Sequence, residues 1–295
     1  MKLRGIIPPV VTPMTARYEV DLPGLRAHID FMLAAGVHGI FVLGTTGEFY
    51  ALDEGEKRAV VAAAVEHCRG RAAVYAGTGA ETTREVVRLT KMAEAEGAAG
   101  VSVITPYFIK PNQAELYDHF RRVAESTSLP VVLYNNPATC GGVSIEPATV
   151  ARLAAVPNVV GIKDSSGDLQ NTIEIIRRTP RDTFAVLNGR DTLIFAALTA
   201  GADGAIPASC NIAPDLCVGI YEAFARGDST AAMGYQARLH PVRTALALGT
   251  GNGAIKEAMA LLGRPAGPNR LPVAPLDDEK RAALRRILDE AGVKQ

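Results

Sequence analysis

The sequence predicts an α/β fold, a (β/α)8 barrel with a C-terminal three-helix extension, and three observations point to it. Eight short apolar runs recur, each followed by a turn-rich stretch and then a helical pattern. Their spacing of about 20 to 35 residues is what a strand–helix unit requires. The runs are continuously apolar rather than alternating, as expected of parallel strands covered on both faces. No Gly-x-Gly-x-x-Gly follows the first run, and the unit count equals that of a closed barrel, so the closed form is favoured over an open doubly wound sheet.

The runs begin with GIIPPVVTP from Gly5, GIFVLGTTGE from Gly39, AAVYAGTGA from Ala72 and GVSVITPYF from Gly100. They continue with PVVLYNNP from Pro130, VVGIKDSSG from Val159, FAVLNGRD from Phe184 and GAIPAS from Gly204. The helices between them carry their own punctuation. Asp53 and Glu56 have capping-box spacing and Gly70 closes that helix. Asn112 precedes the next well-marked helix, which Leu129-Pro130 ends. Asp168 opens LQNTIEIIRRT, where Leu169, Ile173 and Ile176 form the expected apolar stripe. Beyond residue 225 the rhythm changes, with three helical stretches and no strand between them. The chain is therefore read as a barrel over 1–225 and a helical extension over 226–295.

Composition narrows the function. The 295 residues are 48% hydrophobic, ample for a large core, and Lys plus Arg balance Asp plus Glu at 31 each. That balance gives no electrostatic reason to expect nucleic acid or an anionic membrane as partner. No segment reads as membrane-spanning, and MKLRGIIPPVVTPM makes a poor signal peptide. Cys68, Cys140, Cys210 and Cys217 lack metal-ligand spacing and read as reduced thiols of a cytoplasmic protein.

In such a barrel the active site lies at the C-terminal ends of the strands. The groups falling there are Gly44-Thr45-Thr46-Gly47-Glu48, Tyr134-Asn135-Asn136-Pro137, Lys163-Asp164-Ser165-Ser166, Asn188-Gly189-Arg190-Asp191 and Ala208-Ser209. The set holds one strong nucleophile, Lys163, and no His or Cys cluster for a metal. A desolvated lysine amine can attack a carbonyl to form an iminium, which acts as an electron sink without a cofactor. Tyr134 on the adjacent strand is the candidate proton shuttle. The Gly-Thr-Thr-Gly turn offers backbone N–H groups and hydroxyls to a substrate carboxylate. Each feature alone has a plainer reading, as surface lysine, turn or core tyrosine; their shared position at one barrel mouth carries the Schiff-base reading.

These residues give the chain, over essentially residues 4 to 285, a specific likeness. With GTTGE at 44–48, YNxP at 134–137 and GIKD at 161–164, it resembles the pyruvate-dependent class I aldolases that include dihydrodipicolinate synthase and N-acetylneuraminate lyase. The resemblance implies Lys163 as the Schiff-base lysine for pyruvate or another 2-oxo acid and Tyr134 as proton donor and acceptor. It further implies Thr46 as the carboxylate ligand, Thr45 as the hydroxyl linking to Tyr134, Ile206 as a backbone wall of the pyruvate pocket, and a homotetramer.

Departures from the synthase pattern steer the substrate reading. Thr139 stands where the synthase has an arginine for the carboxylate of its aldehyde, and a neutral threonine cannot make a bidentate charged clamp. Phe108 stands where a tyrosine enters the relay from a neighbouring subunit, and Glu54, Lys57 and Glu81 replace the residues of a lysine feedback site. KDSSGDL at 163–169 and NGRDTLIFAALTAGADG at 188–204 are similar to the sialic acid lyase branch, which implies Ser165, Gly189 and Asp191 as substrate-polyol contacts. Thr192 lacks that branch's next acid, pointing to a shorter substrate, and Arg190 faces either a distal carboxylate or solvent. The sequence thus favours an aldolase for a 2-keto-3-deoxy sugar acid or similar 4-hydroxy-2-oxo acid. The alternatives are 4-hydroxy-tetrahydrodipicolinate synthase, a dehydratase of a related 2-oxo acid, and a non-catalytic 2-oxo-acid-binding protein.

Overall fold

The computed structural model describes residues 3–264 and 266–293. Eight strands, β1 (Gly5–Ile6), β2 (Ile40–Val42), β3 (Val74–Gly77), β4 (Gly100–Ile104), β5 (Val131–Asn135), β6 (Val159–Asp164), β7 (Ala185–Asn188) and β8 (Gly204–Ala205), pair in parallel. The order runs from β1 through β8 and back down to β2. The ring closes just past β1, where Pro9 bridges Phe41 in parallel and Val10 N–H donates to the Phe41 carbonyl at 2.8 Å. The expected (β/α)8 barrel is the fold found.

β1 and β8 are shorter than their apolar runs. Pro8, Pro9 and Pro207 have no N–H for a ladder bond, so regular pairing stops there while the chain stays in the wall. These two strands also approach closely: a Cβ on Gly204 would lie 2.1 Å from the Gly5 carbonyl oxygen, so only glycine fits.

The barrel helices are α1 (Leu22–Ala34), α2 (Glu54–Cys68), α3 (Thr83–Ala95), α4 (Gln113–Glu125), α5 (Pro147–Leu153), α6 (Leu169–Arg178), α7 (Ile194–Thr199) and α8 (Pro214–Ala225). Asp53–Glu56 and Asn112–Glu115 form complete capping boxes, and the Asp168 side chain accepts from Asn171 N–H. The stripe expected on α6 is displaced. Its buried residues are Thr172 and Ile175, while Ile173 is 43% exposed. Thr172 is drawn inward by its 2.8 Å hydrogen bond to Asp164, a tertiary contact that periodicity of apolar residues does not show.

Past the barrel lie α9 (Ser229–Ala245), α10 (Gly253–Leu261) and α11 (Asp278–Glu290). Leu246, Ile255, Met259, Leu284 and Leu288 form a second apolar cluster with Val11 and Ile212. Those two residues follow β1 and β8, so the extension lies against the C-terminal mouth of the barrel and contributes to its wall.

Candidate active site

Strand pleating decides which groups enter the barrel. Tyr134, Lys163 and Leu187 are register partners across β5, β6 and β7, so all three side chains take the same face of the sheet. Phe41, Val132, Leu187 and Ile206 pack as one buried cluster. Lys163 is 4% exposed, with its Nζ 4.1 Å from the Tyr134 ring centre and 5.2 Å from that of Phe41. Asp164, one residue on, points to the opposite face. Its carboxylate accepts from Asn135 at 2.9 Å, Thr172 at 2.8 Å, Asn171 at 3.2 Å and both Ser166 N–H and Oγ–H at 3.1 Å. The acid beside the lysine therefore anchors the strand end and leaves the amine without an adjacent carboxylate.

The Tyr134 hydroxyl accepts from Asn136 Nδ2 at 3.1 Å. Burial pushes this phenol upward, but the nearby Lys163 charge and hydrogen bonding with Thr45, Lys163 and Ser165 outweigh it, leaving the phenol below its ordinary value. The Thr45 contact is loose: its Oγ1 is buried with no well-formed hydrogen bond. That free hydroxyl can link Tyr134 to a bound substrate.

The Thr45–Gly47 segment forms a single 3-10 turn, closed by Gly47 N–H donating to Gly44 at 2.9 Å. Two outside hydrogen bonds and a left-handed C-cap fix it. Thr12 Oγ1 donates to the Gly47 carbonyl at 2.7 Å, Asn252 Nδ2 donates to the Thr46 carbonyl, and Glu48 ends the turn at a left-handed φ of 54°. The Glu48 carboxylate, 1% exposed, meets Lys256 Nζ at 2.6 Å and accepts from Arg270 N–H at 3.1 Å. Burial lowers the Lys256 ammonium below its ordinary value, and Glu48 offsets part of that. Two of these anchors, Asn252 and Lys256, come from or adjoin α10, so the extension holds the proposed carboxylate cradle.

A cavity of about 370 Å³ opens over these groups. Thr45, Thr46, Tyr134, Lys163, Ser165, Gly189 and Ile206 all line it. Gly189 is needed where it is: an added Cβ would sit 1.9 Å from Ser165 Oγ. Asp191 is the sequence-derived site residue that the structure places outside the lining. It is 1% exposed, and its carboxylate accepts from Ala208 N–H at 3.2 Å and from Ser209 N–H and Oγ–H at 2.7 and 2.5 Å. Those bonds turn it toward the loop after β8. Phe108 does not line the cavity either; it is 96% exposed at a left-handed φ of 75°. Among the described residues no group of three or more His, Cys, Asp or Glu could hold a metal. Sequence reading missed Arg243, Asn252 and the Glu48–Lys256 pair. Glu48 stood inside the quoted GTTGE motif, but its partner is more than 200 residues away and nothing local marks it.

Comparison with known proteins identifies the family. A family model described as the Dihydrodipicolinate synthetase family matches residues 2–291. A 4-hydroxy-tetrahydrodipicolinate synthase from Methanoculleus marisnigri is 41% identical over 290 residues, covering 98% of this chain and 99% of the relative. The crystal structure of YagE, an E. coli K12 prophage protein of the dihydrodipicolinic acid synthase family in complex with pyruvate, is 39% identical with a TM-score of 0.95, covering 99% of each chain. A dihydrodipicolinate synthase structure from Thermotoga maritima is 34% identical with a TM-score of 0.96, covering 99% of this chain and 100% of its own. With the barrel, the buried lysine and the match across nearly its full length, this chain belongs to the dihydrodipicolinate synthetase family, as a pyruvate-dependent lyase of the class I, Schiff-base type.

Proposed function

We propose that the chain joins pyruvate to a carboxylate-bearing aldehyde through a covalent intermediate on Lys163, the 4-hydroxy-tetrahydrodipicolinate synthase type of reaction. The observation that carries the chemistry is the buried Lys163 amine beside Tyr134, its Nζ 4.1 Å from the ring. The Lys163 amine gives up its proton and adds to the 2-oxo carbon; a proton passed back to the carbinolamine hydroxyl lets water leave, giving an iminium. Loss of a proton from the pyruvyl methyl yields an enamine, whose terminal carbon attacks the aldehyde. Tyr134, held by Asn136, hands a proton to the new alkoxide, and the free Thr45 hydroxyl links the phenol to the substrate. Water then releases the product and regenerates the amine. The same steps in reverse cleave a 4-hydroxy-2-oxo acid to pyruvate and an aldehyde. Thr46 and the turn N–H groups hold the pyruvyl carboxylate, and Ile206 walls the pocket. The iminium takes the electrons, so no metal or cofactor enters this scheme.

The choice of aldehyde is supported by the names of the relatives, which the sugar-acid reading lacks. A second reading, cleavage of a 2-keto-3-deoxy sugar acid, is favoured by Thr139 on the cavity rim and by the Ser165 hydroxyl that Gly189 leaves room for. There Ser165 contacts the polyol, while Asp191, bonded to Ser209 and Ala208, stays out of the cavity lining.

The test is intact mass after incubation with pyruvate and borohydride, for wild type and Lys163→Ala. A reduced pyruvyl adduct on wild type alone is expected. A folded wild type that takes no adduct refutes the Schiff-base reading. Pyruvate released from a 2-keto-3-deoxy sugar acid, with no condensation on carboxylate-bearing aldehydes, selects the second reading. Loss of water from the sugar acid without pyruvate identifies a dehydratase, and adduct without any turnover identifies a 2-oxo-acid-binding protein.

A further inference from the structure

The cavity lining contains three cations, Lys163, Arg190 and Arg243, and no carboxylate. Lys163 is engaged by chemistry at the floor. Arg190, after β7, donates its Nε–H to the Ser165 carbonyl at 2.9 Å and lies over Gly167, where an added Cβ would be 3.3 Å from that Nε. Arg243 comes from the last turn of α9, in the extension, with a side chain 28% exposed. Its Nε stands 3.8 Å from Asp191, beyond hydrogen-bond reach of a carboxylate that Ser209 and Ala208 already satisfy. For both arginines the contacts use Nε, and the Nη groups carry no hydrogen bond among the described residues. Two guanidinium groups with free outer N–H groups thus border one cavity, on elements separate from the loop that holds Thr139.

We propose that Arg243, assisted by Arg190, is the specificity-determining clamp for a second, distal carboxylate on the substrate, supplying from the C-terminal extension the charged contact that Thr139 cannot make. The proposal rests on the Schiff-base reading of Lys163 and specifies its substrate class: a 2-oxo acid anionic at both ends, built from an aldehyde that itself carries a carboxylate. Guanidinium groups suit this task because their paired N–H groups match a carboxylate. Asp191 then acts as a positioning residue, holding the Arg243 side of the cavity by charge at 3.8 Å while its own oxygens stay on the β8 loop.

The experiment uses competitive borohydride trapping on Lys163, read by intact mass. Equimolar pairs of equal chain length are offered: 2-oxoadipate against 2-oxohexanoate, with the 2-oxoglutarate and 2-oxopimelate pairs scanning reach. A charge-assisted clamp predicts that at least one diacid is trapped in preference by about 10- to 100-fold. The preference falls toward one in Arg243→Ala, falls less in Arg190→Ala, and returns in part in Arg243→Lys. Pyruvate trapping stays at the wild-type level in all three variants, which also reports their folding. Equal trapping throughout the wild-type series, or a preference that survives Arg243→Ala and Arg190→Ala together, overturns the clamp. Absence of any adduct on wild type refutes the Schiff-base reading itself, so the two failures are distinguishable.

Discussion

Replacing Lys256 by methionine tests how the extension supports the active site. Lys256 and Glu48 are 3% and 1% exposed and meet at 2.6 Å, and Lys256 also donates to the Pro268 carbonyl at 3.0 Å. Methionine fills much of the volume but leaves the Glu48 carboxylate buried with Arg270 N–H as its remaining hydrogen bond. Removing one member of such a buried pair costs about 3–5 kcal/mol. An unfolding entropy of about 2.1 cal/mol/K per residue over 295 residues gives roughly 0.6 kcal/mol/K, so the expected loss in Tm is about 5–8 °C. Because Glu48 ends the Thr45–Gly47 turn, the same change loosens the carboxylate cradle and raises KM for pyruvate more than it lowers kcat. The double variant Lys256→Met/Glu48→Gln leaves no uncompensated charge and recovers most of the Tm, while KM stays high. Differential scanning calorimetry and steady-state kinetics read both effects. A single variant with unchanged Tm, or a double variant no more stable than the single, would show that the pair does not brace the turn.

Other changes follow from the same geometry. Tyr134→Phe keeps the barrel wall and loses the shuttle, so turnover falls about 10²- to 10⁴-fold while borohydride still traps pyruvate on Lys163; turnover near wild type would assign the proton to another group. Gly189→Ala drives a methyl into the space of Ser165 Oγ, so KM for the second substrate rises while pyruvate trapping holds, and unchanged kinetics would remove Ser165 from the site. Acid should destabilise the fold through two histidines. Burial holds His28 and His119 near 4, below their ordinary 6.5, so the unfolded chain binds their protons first and stability is lost as pH falls from 6.5 toward 4. The loss is on the order of 3 kcal/mol for each group. Urea unfolding across that range, compared with His28→Gln, measures it, and a flat profile would contradict it. A homotetramer, expected from the resemblance, would cover the exposed Phe108; light scattering on wild type and Phe108→Asp checks this, with a wild-type monomer as the contrary result.

Strand spacing, continuous apolar runs and capping pairs determined the barrel, because each is a property of a single strand–helix unit of the chain. The floor of the site was equally legible. Once Val159–Asp164 is a strand in a closed barrel, pleating sends Lys163 inward and Asp164 outward, and register brings Tyr134 alongside. The rest depended on contacts between distant segments. Ile173 looked like core, yet Asp164 recruits Thr172 and turns α6 so that Ile173 faces out. Asp191 looked like a ligand by position, but Ser209 and Ala208 claim its oxygens. Arg243 and Lys256 belong to α9 and α10, and Asn252 caps α10, in stretches whose sequence says only that they are helical. They reach the mouth because Leu246, Ile255 and Leu284 bury against Val11 and Ile212. Sequence alone determined the barrel and the inward-facing lysine, since periodicity and pleat are short-range; the outer wall of the cavity was decided only by tertiary packing, since burial of the extension sets which charges face the cavity.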